Sequence, residues 1–373
     1  MAMDVVDSMM QADIDFRAIS VNYKPPENIA EKVSSLKRLN MPYLPVKEDY
    51  QSTAMGVVKY FLKKAQSTYY GLVLDSQLRR NPPELMIFND SDRNSLSVRN
   101  RYGKQSKIID IIHESPNFVD KYFEIGPVCY LNRFRDSDSV VFVSDQCRKA
   151  WLEYGILEEE KVHYIPNCAK EHAAKGYLEK TKTETREKLE LSRDTFYLVS
   201  VASVQPRKGQ DLLIDAAPEL KKIAPNLEIL IIGGRGGEFS TKLEEKARHG
   251  GLDFVKFMGR KPNAMEYIYA SDAFILTSRA EAFPLVLLEA MILNTPMIGS
   301  NVDGVPEMIE HKKTGLLFES ENVDEIVQCF TEMYNEKEKR QQYTEQASDK
   351  YWRDFSKEKF TKRYLDCIDQ LRK

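Results

Sequence analysis

The chain has 373 residues, which is enough for two domains that each bury their own core. Hydrophobic residues make up 42% and charged residues 30% of it, which is ordinary for a globular protein. The formal net charge of -3 argues against the strongly basic field with which a protein binds nucleic acid, so no nucleic-acid partner is expected.

Basic residues are nevertheless concentrated in one segment, between Lys59 and Lys107. This basic region either forms a solvated face or contacts anionic lipid headgroups or a phosphate-bearing acceptor. No apolar run approaches the ~20 residues needed to cross a bilayer, so membrane contact would be peripheral. The five cysteines are scattered without a CxxC pair, which argues against a disulfide framework and a zinc site. The N-terminus lacks the apolar core of a signal peptide, so we expect a cytoplasmic protein, with any membrane contact at the inner face.

The N-terminal half predicts an α/β domain. In chain order, residues 1–10 predict a helix, and four apolar stretches predict strands at 14–21, 85–88, 108–112 and 140–143. No glycine-rich first turn is visible, so the first strand is expected to be missing or atypical. The predicted domains are 1–168, a second domain at 169–350 that begins with the charged segment 170–193, and a C-terminal helix within 351–373.

The C-terminal half has a clearer rhythm of strands and helices. The predicted strands are 196–202, 227–232, 254–257, 273–276 and 296–298, and the predicted helices are 211–223, 239–249, 263–269, 284–293 and 354–371. Near-continuous apolar strands that alternate with helices indicate a parallel sheet covered on both faces. In such a doubly wound sheet, ligands bind at the carboxyl ends of the strands.

The most specific segment, residues 277–291, joins a strand to a helix. Pro284 suits the first helical turn, and the amides of Leu285 and Val286 would then be free to bind a phosphate at the positive end of the helix. Glu281 and Glu289 flank this turn and could accept hydrogen bonds from sugar and ribose hydroxyls. A single glutamate at a helix end is usually only a favourable partner of the helix dipole, whereas two around an apolar turn argue for a ligand site.

Three further segments follow strands and could face the same ligand. Arg207 and Lys208 form a basic turn that suits a diphosphate, although alone such a turn is usually solvent-facing. Gly233 and Gly234 allow close approach of a ligand to the backbone, and a plain flexible turn is equally compatible with them. His113 could bind a sugar hydroxyl or stabilise a developing charge, or it could be a structural histidine.

The segment from Glu281 to Met291 resembles the E-x7-E signature of family 4 retaining glycosyltransferases. Segments 294–299, 304–309 and 314–318 downstream, and 206–209 and 270–278 upstream, are also similar to that family, and the resemblance extends from about residue 140 to the end. It implies a GT-B fold, with two Rossmann-like domains, a deep cleft between them, and a C-terminal helix that crosses back to the N-terminal domain.

The resemblance also implies residue roles. Glu281 would contact the donor sugar, Glu289 would hold the ribose, and Arg207 and Lys208 would neutralise the departing diphosphate. His113 is a further predicted catalytic residue, from its position after a strand and not from the resemblance. Other contacts with the donor would come from Phe283, Pro284, Leu285, Val286, Gly233, Gly234, Phe257, Met258 and Ser203. Ala202-Ser203 stands where the family often has Gly-Arg, a departure for which Arg207 would substitute.

The function implied is retaining transfer of a hexose from a nucleotide-diphosphate donor to a glycan, lipid-linked or protein acceptor, as in polysaccharide biosynthesis. No metal and no cofactor are expected, because cations and the helix dipole would stabilise the leaving diphosphate. Two alternatives stay open. One is a catalytically weak nucleotide-sugar-binding subunit of a glycosyltransferase complex, and the other is a sugar-nucleotide epimerase.

Overall fold

The structure of the chain is a computed structural model that describes residues 84–89, 106–123, 125–234 and 237–372. The predicted helix at 1–10, the predicted strand at 14–21 and nearly all of the basic region 59–107 lie outside these residues. Within the described residues, a compact unit comprises 112–135 and 141–366. The domain boundaries at 168 and 350 stay predictions.

The N-terminal half contains a four-stranded sheet in the order β1-β2-β3-β4, and β1 pairs in parallel with β2. Its strands are Leu85–Asn89, Lys107–Ile112, Ser139–Phe142 and Val162–Tyr164. β2 and β3 are almost wholly buried, as expected for strands that are covered on both faces. The first three strands confirm the predictions to within one residue. β4 was not predicted, because three residues are too few to show a period.

Among the described residues, five helices follow or separate these strands. They are α1 Pro116–Tyr122, α2 Pro127–Leu131, α3 Asp145–Leu152, α4 Glu171–Leu178 and α5 Lys182–Lys188. Side chains that accept hydrogen bonds from first-turn amides fix where α1 and α3 begin: Ser115 Oγ binds the amide of Phe118, and Ser144 Oγ binds that of Cys147, both at 3.1 Å.

The C-terminal half contains a six-stranded sheet in the order β10-β9-β8-β5-β6-β7, with every pair parallel. Its strands are β5 Phe196–Val201, β6 Leu227–Ile232, β7 Val255–Gly259, β8 Ala273–Leu276, β9 Met297–Ser300 and β10 Leu316–Phe318. The five predicted strands are confirmed, and the short β10 was not predicted. Because the sheet is parallel, the segments that follow β5, β6 and β8 leave it at the same edge.

Eight helices accompany this sheet and its C-terminal extension. They are α6 Gln210–Ile223, α7 Glu238–His249, α8 Ala264–Ala270, α9 Leu285–Ile292, α10 Val305–Met308, α11 Val323–Asn335, α12 Lys337–Lys350 and α13 Lys357–Arg372. Apolar faces of α6 and α11 pack with the strands in one buried cluster that includes Leu213, Ile229 and Phe330. This core holds the strand ends in place.

The predicted ends of α6 to α9 lie within one residue of the observed ends, but the role of Pro284 and the continuity of the final helix were predicted wrongly. Pro284 does not open α9, because its backbone is extended (φ -71°, ψ 114°) and it caps a helix that begins at Leu285. The final helix is not continuous over 354–371. A π-helical turn, Tyr351–Phe355, ends at Ser356, whose ψ of 154° breaks the helical path before α13.

Candidate active site

The basic turn after β5 is fastened to the segment that follows β8. Pro206–Lys208 forms one 3-10 turn, and Gly209 closes it with φ +63°, a conformation that glycine adopts without strain. A Cβ on Gly209 would lie 1.9 Å from the carbonyl oxygen of Thr277, so no other residue fits. Thr277 Oγ1 in turn donates to the carbonyl of Lys208 at 3.0 Å. The topology therefore brings together the two segments that the sequence predicts as neighbours.

Glu281 lies in this loop with only 9% of its surface exposed. Its Oε1 accepts hydrogen bonds from Lys208 Nζ and, at 2.8 Å, from Ser278 Oγ. Arg207 Nη1 is 3.5 Å from Glu281 Oε2. Burial lowers the pKa of Lys208, and the negative charge of Glu281 opposes that effect. The cluster is thus two cations held by one carboxylate.

The guanidinium of Arg207 is positioned by two other groups. Its Nη1 donates to the carbonyl of Ala280 at 2.9 Å, and it lies over the ring of Phe118 from α1, 5.1 Å from the centroid. These contacts orient its planar group towards the Glu281 loop, where it could bind two oxygens of a phosphate.

A second loop, before α10, clamps the backbone of Glu281. Asp303 Oδ2 accepts from the amide of Glu281 at 3.0 Å, and the amide of Gly304 donates to the carbonyl of Glu281 at 3.1 Å. A Cβ on Gly304 would meet the carbonyl oxygen of Ala282 at 1.8 Å, so this approach requires glycine. Burial raises the pKa of Asp303, while hydrogen bonds from Ser115, Asn117 and the Glu281 amide lower it.

Glu307 of α10 caps the first turn of α3. Its Oε1 accepts from Ser144 Oγ at 2.6 Å and from the amide of Gln146 at 2.7 Å, and its Oε2 accepts from the amide of Asp145 at 3.0 Å. A carboxylate at this position accepts hydrogen bonds from amides that have no partner within the helix. Its negative charge also interacts favourably with the positive end of the helix dipole. The Asp303-Glu307 loop therefore ties α1 and α3 to the Glu281 loop.

The first turn of α9 presents the amides that the sequence assigns to a phosphate. No described residue accepts a hydrogen bond from the amide of Leu285 or Val286. The Leu285 side chain is 39% exposed, so the turn reaches solvent. Phe283, by contrast, is buried with its ring 5.4 Å from that of Phe355, so that residue could meet a ligand only through its backbone.

Glu289 is half-buried one turn further along α9. Burial raises its pKa to about 7, and the positive charge of Lys170 acts in the opposite direction. Its charge also acts on Tyr177 of α4. Glu289 and Glu281 thus have different neighbours, and each could bind a different part of an extended ligand.

His113 follows β2 and is half-buried. Burial lowers its pKa to about 3, so the imidazole is neutral at physiological pH. A neutral imidazole can donate or accept a hydrogen bond but cannot supply a positive charge.

The remaining predicted site residues lie at strand ends. A Cβ on Gly233 would be 1.7 Å from the carbonyl of Ala202, so the sheet itself requires glycine there, whereas Gly234 has open space around it. Ser203 is exposed and its Oγ accepts from Gln205 at 2.8 Å. Phe257 and Met258 are half-buried at the end of β7.

Sequence reasoning missed Ser278, Asp303 and Glu307 as parts of the site. The Asp303-Gly304 pair was a turn signal, and it lies directly before a short helix. No described helix has the length and hydropathy to cross a bilayer, and the described residues contain no cluster of metal-binding side chains. Metal independence stays a prediction.

Residues 181–350 match the family model for glycosyl transferases group 1. This segment includes Arg207, Lys208, Glu281 and Glu289. Among proteins of known function, the chain is 26% identical over 288 residues to the lipopolysaccharide 1,2-N-acetylglucosaminetransferase of Salmonella typhimurium. That alignment covers 72% of this chain and 74% of the relative.

Solved structures share the architecture. A glycosyltransferase from Rickettsia africae has a TM-score of 0.76 at 16% identity, over 100% of this chain and 94% of its own. HepE from Anabaena, solved in complex with UDP-glucose, has a TM-score of 0.67 at 19% identity, over 76% of this chain and 78% of its own. These likenesses confirm the predicted GT-B fold. Residues 181–350 are similar to the glycosyl transferases of group 1, and the chain is a glycosyltransferase.

Proposed function

We propose that the chain transfers a hexose from a nucleoside-diphosphate donor to a glycan or glycolipid acceptor, with retention of the anomeric configuration and without a metal ion. The observation that carries the proposal is the cluster of Arg207, Lys208 and Glu281 at the carboxyl ends of β5 and β8. Two similar proteins support the proposal: one is a lipopolysaccharide N-acetylglucosaminetransferase, and another was solved in complex with UDP-glucose.

The proposed chemistry is cleavage of the bond between the anomeric carbon and the diphosphate oxygen. Negative charge develops on the departing diphosphate, and Arg207 and Lys208 are placed to stabilise it together with the amides of Leu285 and Val286. The acceptor oxygen forms the new bond to the anomeric carbon, and its proton passes to the diphosphate. Preorganised groups of this kind contribute about 10²–10³ in rate each.

Glu281 has two roles in this proposal. Before the donor binds, its carboxylate neutralises Lys208 and Arg207. Once phosphate oxygens take over the cations, the carboxylate is free to accept hydrogen bonds from hydroxyls of the donor sugar. Glu289 would accept hydrogen bonds from the ribose, and His113 would bind a sugar hydroxyl as a neutral group.

The experiment is a panel of nucleoside-diphosphate sugars screened by thermal shift, followed by NMR of the product. A donor that binds the folded chain raises its melting temperature. We expect one donor to stabilise the wild type, and we expect the stabilisation to be lost in Lys208→Met and kept in Lys222→Met, since Lys222 is an exposed lysine paired with Glu219.

Three results would each contradict part of the proposal. A product of inverted anomeric configuration excludes retention. Loss of transfer on addition of EDTA excludes metal independence. Tight donor binding with no transfer to any glycan acceptor favours the binding subunit over the enzyme.

A further inference from the structure

A cavity of about 380 Å³ lies beside the Asp303-Glu307 loop. Its walls come from the start of α1, from α3 and the residues after it, and from Asp303. Its volume falls within the about 300–1,000 Å³ that ligand sites usually have. None of the predicted site residues lines it, so it is separate from the Arg207-Lys208-Glu281 cluster.

The lining has the chemistry of a site for a neutral, polyhydroxylated ligand. Its polar groups and aromatic ring belong to Ser115, Asn117, Gln146, Glu153, Tyr154 and Asp303. Carboxylates accept hydrogen bonds from hydroxyls, and side-chain amides both donate and accept. No lysine or arginine is among the described residues that line the cavity, which argues against a phosphate or another anion.

Two polar side chains of this lining make no hydrogen bond with the described residues. The side chains of Gln146 and Glu153 are exposed and make no hydrogen bond with any described residue. Tyr154 is 39% exposed and packs with its ring 5.6 Å from that of Trp151, so part of the tyrosine ring remains accessible. An exposed aromatic face next to hydrogen-bonding side chains can stack against the apolar C–H face of a sugar ring.

Asp303 connects this cavity to the proposed donor site. Ser115 and Asn117, which line the cavity, donate hydrogen bonds to its carboxylate, and the same carboxylate accepts from the amide of Glu281 at 3.0 Å. Asp303 therefore contacts both the cavity and the loop that carries Glu281, so a ligand in the cavity would lie next to that loop.

We infer that this cavity binds a sugar ring of the acceptor, so that the acceptor is a glycan and not a small organic acid or a free phosphate ester. The inference rests on the proposed function and names the acceptor class for it. Glu153 and Tyr154 are assigned as acceptor-binding residues.

The test uses the full chain and four methyl glycosides, those of glucose, galactose, mannose and N-acetylglucosamine, observed by saturation-transfer NMR. At least one should bind the wild type. Loss of a charge-assisted hydrogen bond should weaken its binding about tenfold in Glu153→Gln, and loss of the stacking face should do the same in Tyr154→Ala. The matched control is Tyr122→Ala, a tyrosine of nearly equal exposure, at 37%, that does not line the cavity.

The proposal is overturned if no glycoside binds, if Tyr122→Ala weakens binding as much as Tyr154→Ala, or if Glu153→Gln leaves binding unchanged. It is also overturned if inorganic phosphate binds the wild type and Glu153→Gln strengthens that binding, as removal of a negative charge beside a bound anion would. Donor stabilisation is measured on the same variants and should persist in all of them. A wild type that binds no nucleoside-diphosphate sugar would refute the proposed function, whereas the glycoside results would stand independently.

Discussion

The main-chain amide of Glu281 donates a 3.0 Å hydrogen bond to Oδ2 of Asp303. The amide that follows Asp303 returns a bond to the carbonyl of Glu281, so one peptide segment is held on both sides. Because Asp303 also binds Ser115 and Asn117, the position of Glu281 depends on the start of α1.

Lys208→Met is expected to weaken binding of the nucleoside-diphosphate sugar by about 1.5–3 kcal/mol, the contribution of a charge-assisted hydrogen bond. Isothermal titration with the donor that emerges from the panel measures it. Lys222→Met should bind like the wild type. Unchanged affinity in Lys208→Met would remove that lysine from the diphosphate site.

The raised pKa of Glu289, about 7, predicts a pH-dependent stability. In the folded chain Glu289 keeps its proton between about pH 4.5 and 7, whereas the unfolded chain has lost it. Its contribution to the free energy of unfolding therefore decreases as the pH rises through that window. Between about pH 4.5 and 7, the free energy of unfolding of the wild type should fall by about 1–2 kcal/mol relative to that of Glu289→Gln. The partial exposure of the side chain limits this amount.

Urea denaturation of both proteins at several pH values measures this difference, with Glu245→Gln, an exposed position on α7, as the control. The same titration predicts that affinity for a nucleoside-diphosphate sugar rises between pH 6 and 8 in the wild type and not in Glu289→Gln. A difference in stability that does not change with pH would show that Glu289 titrates as an ordinary glutamate.

Gly304→Ala should destabilise the fold by about 3 kcal/mol, since its Cβ would overlap the carbonyl oxygen of Ala282. Gly176→Ala is the matched control, because Gly176 is an exposed position of α4 with open space around it. That change should stabilise the chain by about 0.5–1 kcal/mol. Thermal and urea denaturation give both values, and equal stability of the two variants would contradict the tight packing of the loop.

Ser144 and Glu307 should show energetic coupling in a double-mutant cycle. Glu307→Ala removes the acceptor of Ser144 Oγ and of two α3 amides, so the single variants and the double variant should deviate from additivity by about 0.5–3 kcal/mol. Ser144→Ala combined with Glu319→Ala, at an exposed position outside this network, should be additive. Additivity in both cycles would mean that the hydrogen bond between Ser144 and Glu307 contributes nothing to stability.

The pattern of apolar runs between turn residues predicted much of the C-terminal fold. The bounds of β6 and β8 were predicted to the residue, and the parallel order placed Arg207 near Glu281. The three-residue strands β4 and β10 were missed because they are too short to show a period. The neighbouring sequence does not show whether Pro284 caps α9 or is its first residue, because the fixed φ of proline suits both positions.

The parts of the site that escaped prediction depend on distant partners. Glu307 and Ser144 are separated by 163 positions in the chain, and a short sequence window carries no signal for such a contact. Asp303 has a left-handed backbone, φ 41°, which Asp tolerates better than most residues and which the sequence alone does not reveal. The shifted pKa values of Glu289 and His113 come from burial, which is a property of the folded chain.

The pairing of Lys208 and Arg207 with Glu281 has a consequence for selectivity. Cations that already have an internal counterion attract a small free anion weakly, because the incoming charge must displace the carboxylate. Inorganic phosphate has no sugar hydroxyls to donate hydrogen bonds to the displaced carboxylate, whereas a nucleotide sugar does. In the proposed mechanism, the pairing of Arg207 and Lys208 with Glu281 would thus also limit competition by inorganic phosphate.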